Sequence, residues 1–331
     1  DLAASLQLVL ENTILEKTHF LAEKVPSSNL CFSGGVALNC VANGRLRREG
    51  PFLNLYVPPV PNDAGGALGA AVLAHQSIEG RFPNSDKPLN SMLGPKYKAR
   101  EIREFLDSAG VSYENFEGRE KNLLTAVSEQ LARGAIVGWF QGPMEFGPRA
   151  LGGRSIIADP RKSRNKEKIN RVVKRREMFR PFAPSVLTSR VADYFSAAST
   201  SPFMAETYFA HGKKKLKAVT HVDGSSKIQT VDVKRDGRFA RLIEKFDEIT
   251  GCPALLNTSF NIKDEPIVEN YRQAYWCFVR SGLDFLVLEE FVISKKSISA
   301  ELRTFVNGYD NVLSGSVRKP KGQGELVYTF F

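Results

Sequence analysis

Ala135-Ile-Val-Gly-Trp-Phe140-Gln-Gly-Pro-Met-Glu145-Phe-Gly-Pro-Arg149-Ala-Leu-Gly-Gly-Arg154-Ser155 passes from a continuous apolar run straight into a glycine- and proline-rich one. Ala135 to Phe140 reads as a buried strand, because a short apolar run bounded by turn residues suits a strand covered on both faces. Just upstream, Leu123 to Arg133 has the apolar spacing of an amphipathic helix, as does Ala99 to Ala109. Downstream, Ile169 to Val173 sits in a basic helix, Ala254 to Leu256 is a short strand, Tyr271 to Arg280 a helix and Leu286 to Leu288 a late strand. Toward the N-terminus, Leu6, Val9, Leu10 and Ile14 mark a helix from Leu2, and Asn29 to Phe32 a strand. Ser33-Gly-Gly then leads into a helix-like run from Val36. Leu53 to Val57 is a strand ended by Pro58-Pro59, and Asn62 or Asp63 caps a Gly/Ala-rich helix over Ala64 to Ala74. Strands alternating with helices place the chain in the α/β class.

The chain has 331 residues, enough for about two domains. The weakly periodic, Pro-, Ser- and Asn-containing stretch 79–93 reads as a linker between a first unit, 1–78, and a second, 94–306; a loose tail follows over 307–331. With 42% hydrophobic and 25% charged residues, disorder of the whole chain is excluded. The longest apolar candidate, Ala64 to Ala74, is too short to cross a membrane, which takes ~20 residues, and no signal peptide opens the chain. Cys31, Cys40, Cys252 and Cys277 form no CxxC pair and read as mostly buried free thiols of a cytoplasmic protein. The four histidines form no HxxxH or HExxH pair, which argues against a complete zinc site within the chain. The net charge of +10 points to anionic partners. It is concentrated: Arg161 to Arg180 holds ten Lys/Arg, and a second cluster is Lys213, Lys214, Lys215 and Lys217.

Six constellations could carry chemistry, and each has an ordinary structural alternative. Phe32-Ser-Gly34-Gly35-Val-Ala-Leu-Asn39 could hold an anion on backbone N–H groups at a helix start, or be a tight turn. Asp63, before Ala-Gly-Gly-Ala-Leu-Gly69, could bind a metal or a ribose, or simply cap a helix. Arg149 and Arg154 flank glycines in a loop that echoes Walker A but lacks its lysine; guanidinium pairs well with phosphate, yet solvated loop arginines would look the same. Lys174-Arg175-Arg176-Glu177-Met-Phe-Arg180 runs into the Pro-bounded apolar segment Phe182 to Leu187 and reads as a pocket rim, a solvated face or a nucleic-acid patch. Leu256-Asn257-Thr-Ser259-Phe-Asn261 could orient a polar ligand or cap a turn. His221-Val-Asp223-Gly with Lys227 is a candidate that could equally be an ordinary Asp-Gly turn.

Taken in order, Ser33-Gly-Gly-Val-Ala-Leu-Asn, Asp63-Ala-Gly-Gly-Ala-Leu-Gly, Gly138-Trp-Phe-Gln-Gly142, Met144-Glu-Phe-Gly-Pro-Arg-Ala-Leu-Gly152, Phe179-Arg-Pro-Phe-Ala-Pro-Ser185, His221-Val-Asp-Gly and Leu256-Asn-Thr-Ser-Phe-Asn261 resemble the O-carbamoyltransferase family of nodulation-factor and antibiotic biosynthesis, from Asp1 to about Ser297. The resemblance implies the end of an actin-like (ASKHA) domain, similar to the tRNA threonylcarbamoyl-transfer protein, followed by a twisted α/β domain of YrdC type. It implies that carbamoyl phosphate and ATP, with Mg²⁺, form carbamoyl adenylate in the second domain. The first domain would pass the carbamoyl group to a hydroxyl of a sugar or secondary metabolite with the help of Fe²⁺ or a similar metal.

Residue by residue, the YrdC-type KxR pattern falls on Lys174 and Arg176, and SxN on Ser259 and Asn261. With Arg149 these form the implied catalytic set. Gly34, Gly35, Asn39, Arg154, Arg180, His221, Lys227 and Asn257 are the implied substrate- and nucleotide-binding residues, and Asp63 the late metal ligand. Lys227 stands where the family commonly has arginine. The upstream HxxxH ligands have no counterpart here, so this chain by itself is expected to be incompetent for the full transfer, with the missing N-terminal part of the enzyme as its partner. A homodimer is compatible with the resemblance. Two other readings stay open: a threonylcarbamoyl-adenylate synthase for tRNA modification, against which Phe146-Gly-Pro-Arg149 argues, and a basic nucleic-acid-binding module.

Overall fold

The computed structural model describes residues 1–83, 90–196, 200–211, 216–299 and 301–302. Lys213, Lys214, Lys215 and the tail 307–331 therefore lie outside the described residues. The N-terminal part opens on the long helix α1 (Leu2–Lys24), which buries only Ile14 and Thr18. Strands β1 (Asn29–Cys31) and β2 (Asn54–Tyr56) pair in parallel, Leu30 beside Leu55. Between them, the helix-like run expected from Val36 is split. A 3₁₀ turn spans Gly35–Leu38, and α2 (Cys40–Glu49) restarts with Asn39 as its N-cap, its side chain accepting from the Ala42 N–H at 3.1 Å. A short 3₁₀ turn at Asp63–Gly65 leads into α3 (Gly66–Glu79), which buries none of its residues.

The C-terminal part is organised by an eight-stranded mixed sheet in the order β3-β12-β11-β4-β5-β10-β6-β9. In chain order these strands are β3 (Glu114–Asn115), β4 (Val137–Phe140), β5 (Arg154–Ala158), β6 (Ala183–Leu187), β9 (Gln229–Val231), β10 (Ala254–Ser259), β11 (Phe285–Leu288) and β12 (Phe291–Ser294). Strands β4 and β11, and β6 and β9, run parallel; the other pairs are antiparallel. The apolar run ending at Phe140 is indeed a strand buried along its length. Helices α4 (Ala99–Ser108), α5 (Glu120–Arg133), α7 (Val233–Thr250) and α8 (Tyr271–Arg280) supply apolar faces to one continuous core that includes Leu123, Trp139, Ile157, Phe246 and Phe278. A separate hairpin pairs β7 (Thr207–Phe209) with β8 (Ser225–Lys227).

Arg154-Ser155 is not loop but the start of β5, and the long helix α7 lies where no element was expected from the sequence. The glycine at 237, with φ 51°, breaks the regular pattern at the start of α7. The stretch read as linker is anchored at its end: Phe146 N–H donates to the Ser91 carbonyl at 2.6 Å and Gly94 N–H to that of Met144 at 2.9 Å. Of the cysteines, Cys252 and Cys277 are buried, but Cys31 is exposed and Cys40 half-buried, so the thiols are less buried than expected.

Candidate functional site

The loop between β4 and β5 is shaped by a buried acid. The Glu145 carboxylate accepts from the backbone N–H groups of Leu151 (2.7 Å), Gly153 (2.6 Å) and Arg154 (3.1 Å), closing the loop on itself. Trp139 Nε1 donates to the Gly152 carbonyl at 3.0 Å. Gly152 has φ 112°, and a Cβ there would meet Phe239 at 2.4 Å, so both backbone and space demand glycine. The closed loop displays Arg149, whose NH2 reaches the Leu38 carbonyl of the N-terminal part at 3.3 Å.

Arg154 does different work from its partner in the sequence motif. It is fully buried, and its guanidinium donates to the carbonyls of Gln141, Gly142, Gly153, Glu269 and Pro95 while stacking 3.6 Å from the Phe140 ring centroid. Those five acceptors engage all three guanidinium nitrogens, so this fully buried arginine stitches the loop to the core. The expectation of a phosphate contact at Arg154 does not fit its position.

The basic segment builds the centre of the site. Helix α6 (Ser163–Lys168) widens into a π-helical turn at Ile169–Val173, closed by Lys174 N–H donating to the Ile169 carbonyl at 2.8 Å. Such turns interrupt an ordinary helix and are frequent at functional sites. Beyond it Arg175 takes a left-handed φ of 46°, a strained conformation for a non-glycine residue. The buried Lys174 Nζ then reaches the end of β10. It lies 2.6 Å from the Ser259 carbonyl, 3.1 Å from Ser259 Oγ, 3.1 Å from the Asn261 carbonyl and 2.5 Å from Asn261 Oδ1. Ser259 Oγ donates to Asn261 Oδ1 at 2.7 Å. Lys174 thus forms one cluster with two residues that lie 85 and 87 positions further along the sequence. Burial, reinforced by the charges of Arg176 and Arg180, pulls Lys174 down to about 7.

A second lysine joins the same field. Lys227, at the end of β8, is lowered to about 8 by burial and by the nearby positive charges of Arg149 and Arg176. Arg176 is held by Asn170 and stacks 4.8 Å from the Phe182 ring centroid. Burial and Arg180 lower its pKa. His221 is lowered chiefly by burial; Lys227 adds to this, and its Nδ1 lies 3.2 Å from Ser225 Oγ. Arg180 is exposed on the rim. A cluster of mutually repelling cations, each costly to bury, is the arrangement that a polyanion relieves.

Asn257 is buried and bonds to none of these cations. Its Nδ2 donates to the Ala150 carbonyl at 3.0 Å and contacts Ser185 Oγ and Gln229 Oε1 at 3.0 Å each, while Gln229 Nε2 donates to the Leu151 carbonyl at 2.9 Å. These buried groups brace the loop just after Arg149.

The remaining candidates sit in the N-terminal part. Gly34, with φ 101°, and Asp63 line a cleft of about 540 Å³ together with Ser33, Asn62, Gly66 and Phe146. Space lies open at the Cα of Gly34 and of Gly35, so the turn is accessible to a ligand. Asn39, by contrast, is engaged by its cap and by Gln7, to whose Oε1 it donates at 2.8 Å. Asp63 is exposed. Among the described residues no group of three or more His, Cys, Asp or Glu could hold a metal. One carboxylate does not make an iron site, so Asp63 would hold the implied metal only together with ligands from outside the described residues.

Comparison with known proteins settles the family. Residues 128–295 match the carbamoyltransferase C-terminus family and residues 1–72 the carbamoyltransferase N-terminus family. The chain belongs to the carbamoyltransferases. An uncharacterized Synechocystis protein is 44% identical over 320 residues, covering 89% of this chain and 52% of its own length. Nodulation protein NolO of Bradyrhizobium diazoefficiens is 38% identical, covering 91% and 56%, and nodulation protein U of the same organism 34% identical, covering 79% and 44%. The chain thus spans about half the length of the curated relatives it matches. A solved structure of full-length HypF, with phosphate and nucleotide bound, overlaps 50% of this chain and 20% of its own at 19% identity and a TM-score of 0.37, a level from which a shared fold does not follow. The family match favours the carbamoyltransferase reading over tRNA modification or nucleic-acid binding. No described helix is long and apolar enough to cross a membrane.

The sequence by itself assigned no role to the supporting residues Glu145, Asn170 and Gln229. Glu145 had a signal, an acid inside a glycine loop whose N–H groups need an acceptor. Asn170 and Gln229 had none, since their partners lie across the fold or past an irregular turn.

Proposed function

We propose that the chain forms the activating site of an ATP-dependent O-carbamoyltransferase. The buried Lys174 clasped by Ser259 and Asn261, with Arg176 and Arg180 as its cationic neighbours, is the observation that carries the reading; Lys227, which feels Arg176 and Arg149, extends the basic field. Water first cleaves the carbamoyl–phosphate link, giving phosphate and carbamate. A carbamate oxygen then bonds to the α-phosphorus of ATP, the bond to the β-phosphate breaks, and pyrophosphate leaves with the electron pair. Two anions must meet for this step, and the cations lower their repulsion. Ser259 and Asn261 orient the reacting groups through hydroxyl and amide, and ATP brings its Mg²⁺. In the second step an acceptor hydroxyl of a sugar or secondary metabolite attacks the carbamoyl carbon, AMP leaves, and the hydroxyl proton passes to solvent. The open Gly34-Gly35 turn and its cleft are the nucleotide contact of the transfer half.

Carbamoyl-phosphate-dependent exchange of labelled pyrophosphate into ATP tests the reading. Exchange by the wild-type chain, abolished in Arg176→Ala, is expected. Exchange that needs threonine and bicarbonate instead, or salt-sensitive RNA binding with no exchange, overturns it.

A further inference from the structure

Resting on that reading, we infer that Asn170 is a positioning residue that sets the guanidinium of Arg176. Asn170 is fully buried within the π-helical turn and uses both ends of its side chain. Its Oδ1 accepts from Arg176 Nε at 2.8 Å, and its backbone carbonyl accepts from Arg176 N–H at 3.0 Å. Its Nδ2 donates to the carbonyls of Arg180 at 3.0 Å and Met178 at 3.3 Å. One side chain therefore ties the front of the cationic turn to its back.

The consequence for Arg176 is geometric. An arginine has several freely rotating bonds, and ordering it against an anion costs rotamer entropy. Here Nε is fixed by Asn170 and one face of the guanidinium is covered by Phe182. The NH2 nitrogen makes only a long contact, 3.4 Å, to the Pro181 carbonyl, and NH1 has no hydrogen-bond partner among the described residues. The terminal nitrogens, those that pair with phosphate oxygens, are thus the ones left available, already oriented. Widening of the helix is what makes this possible. In a regular α-helix Asn170 would be bonded to residue 174, whereas in the π turn its carbonyl is released to meet Arg176 N–H.

Pyrophosphate binding by titration calorimetry, with the intact chain, tests the assignment through a double-mutant cycle. Asn170→Ala is expected to weaken binding about tenfold in the wild-type background and not measurably in Arg176→Ala, since an oriented charged hydrogen bond is worth roughly that factor. A purely structural asparagine would weaken both backgrounds alike, and that result would overturn the inference. Should Asn170→Ala fail to fold, Asn170→Ser, a smaller truncation, carries the same cycle. The Arg176 Nε–H resonance, assigned by its loss in Arg176→Lys, adds a direct readout: sharp in the wild type and broadened in the Asn170 variant, or unchanged if the inference is wrong. Failure of the wild type to bind pyrophosphate, or indifference to Arg176→Ala, strikes the proposed function instead, so the two failures are told apart.

Discussion

The two parts of the molecule bury their apolar residues to very different degrees. Downstream of residue 98, helices and sheet share one continuous core. Upstream, the core is a small cluster around Leu30, Leu46 and Leu55, and long apolar side chains stand in solvent: Leu2 is 90% exposed, Leu6 72% and Ile78 80%. The contrast separates two sources of order. The C-terminal part is held by its own interior. The N-terminal part depends on the surface it lies against, chiefly β7 and the loop carrying Arg149. There Asn43 Nδ2 donates to the Ala205 carbonyl at 2.8 Å, Arg47 pairs with the buried Glu206, and a Cβ on Gly44 would meet the Thr207 carbonyl at 2.6 Å.

The largest effect should come from cutting the C-terminal interior at Arg154. Arg154→Ala removes donors from five backbone carbonyls and empties the space over Phe140, and a loss of about 4 kcal/mol is expected from stranded acceptors and cavity together. Chemical denaturation checks it. A loss below about 1 kcal/mol, as for a solvated surface arginine, would return Arg154 to the phosphate-binding set.

Next comes the buried lysine of the same part. The pKa of Lys174 is about 7 in the folded chain, below the ordinary lysine value of 10.5. Below pH 7 both folded and unfolded chains hold the proton, and the full cost of burying the charge is present. Between pH 7 and 10.5 only the unfolded chain keeps it, so this group's contribution makes stability rise with pH across that window, with each unit of pKa displacement worth about 1.4 kcal/mol. Anion binding has the opposite trend, since pyrophosphate prefers the protonated lysine and should bind more weakly as pH climbs past 7 to 8. Lys174→Met should lessen both slopes, most of all near pH 7, while Lys227 keeps its share above pH 8. Slopes that survive the substitution would assign the titration elsewhere.

These expectations show where sequence stops being informative. The strand at Val137–Phe140 and the helix at Tyr271–Arg280 were legible because apolar spacing is a local signal. Lys174, Arg176, Ser259 and Asn261 were legible as chemistry only through the family's ordered motifs; their meeting is made by a π turn and a left-handed Arg175 that no periodicity announces. Arg149 and Arg154 look equivalent in sequence, five residues apart around glycines. They diverge because β5 begins at Arg154 and carries it inward, and that beginning was hidden by the glycines before it.

A smaller effect tests the clasp between the parts. Arg47 contacts Glu206 through Nε at 2.9 Å and NH2 at 3.0 Å, and also donates to the Leu55 carbonyl at 2.7 Å. Arg47→Ala leaves the buried Glu206 carboxylate with the Tyr208 hydroxyl, 2.8 Å away, as its remaining side-chain donor among the described residues, and about 2 kcal/mol should be lost. Hydrogen exchange should quicken in α2 while the β4–β5 ladder stays protected. Equal loosening of both would mean that the two parts unfold as one.

The smallest effect is the sharpest statement of the contrast. Leu73 and Ile78 lie on α3, 59% and 80% exposed, whereas Leu242 on α7 is fully buried. The residue types are similar and both sit within helices, so propensity alone would predict similar costs for shortening them. Burial predicts otherwise. Leu242→Ala should cost about 3 kcal/mol, while Leu73→Ala and Ile78→Ala in this chain should stay within about 0.5 kcal/mol. If the α3 substitutions cost as much as the α7 one, the face of α3 is covered in solution, and the difference between the two parts is one of assembly and not of interior.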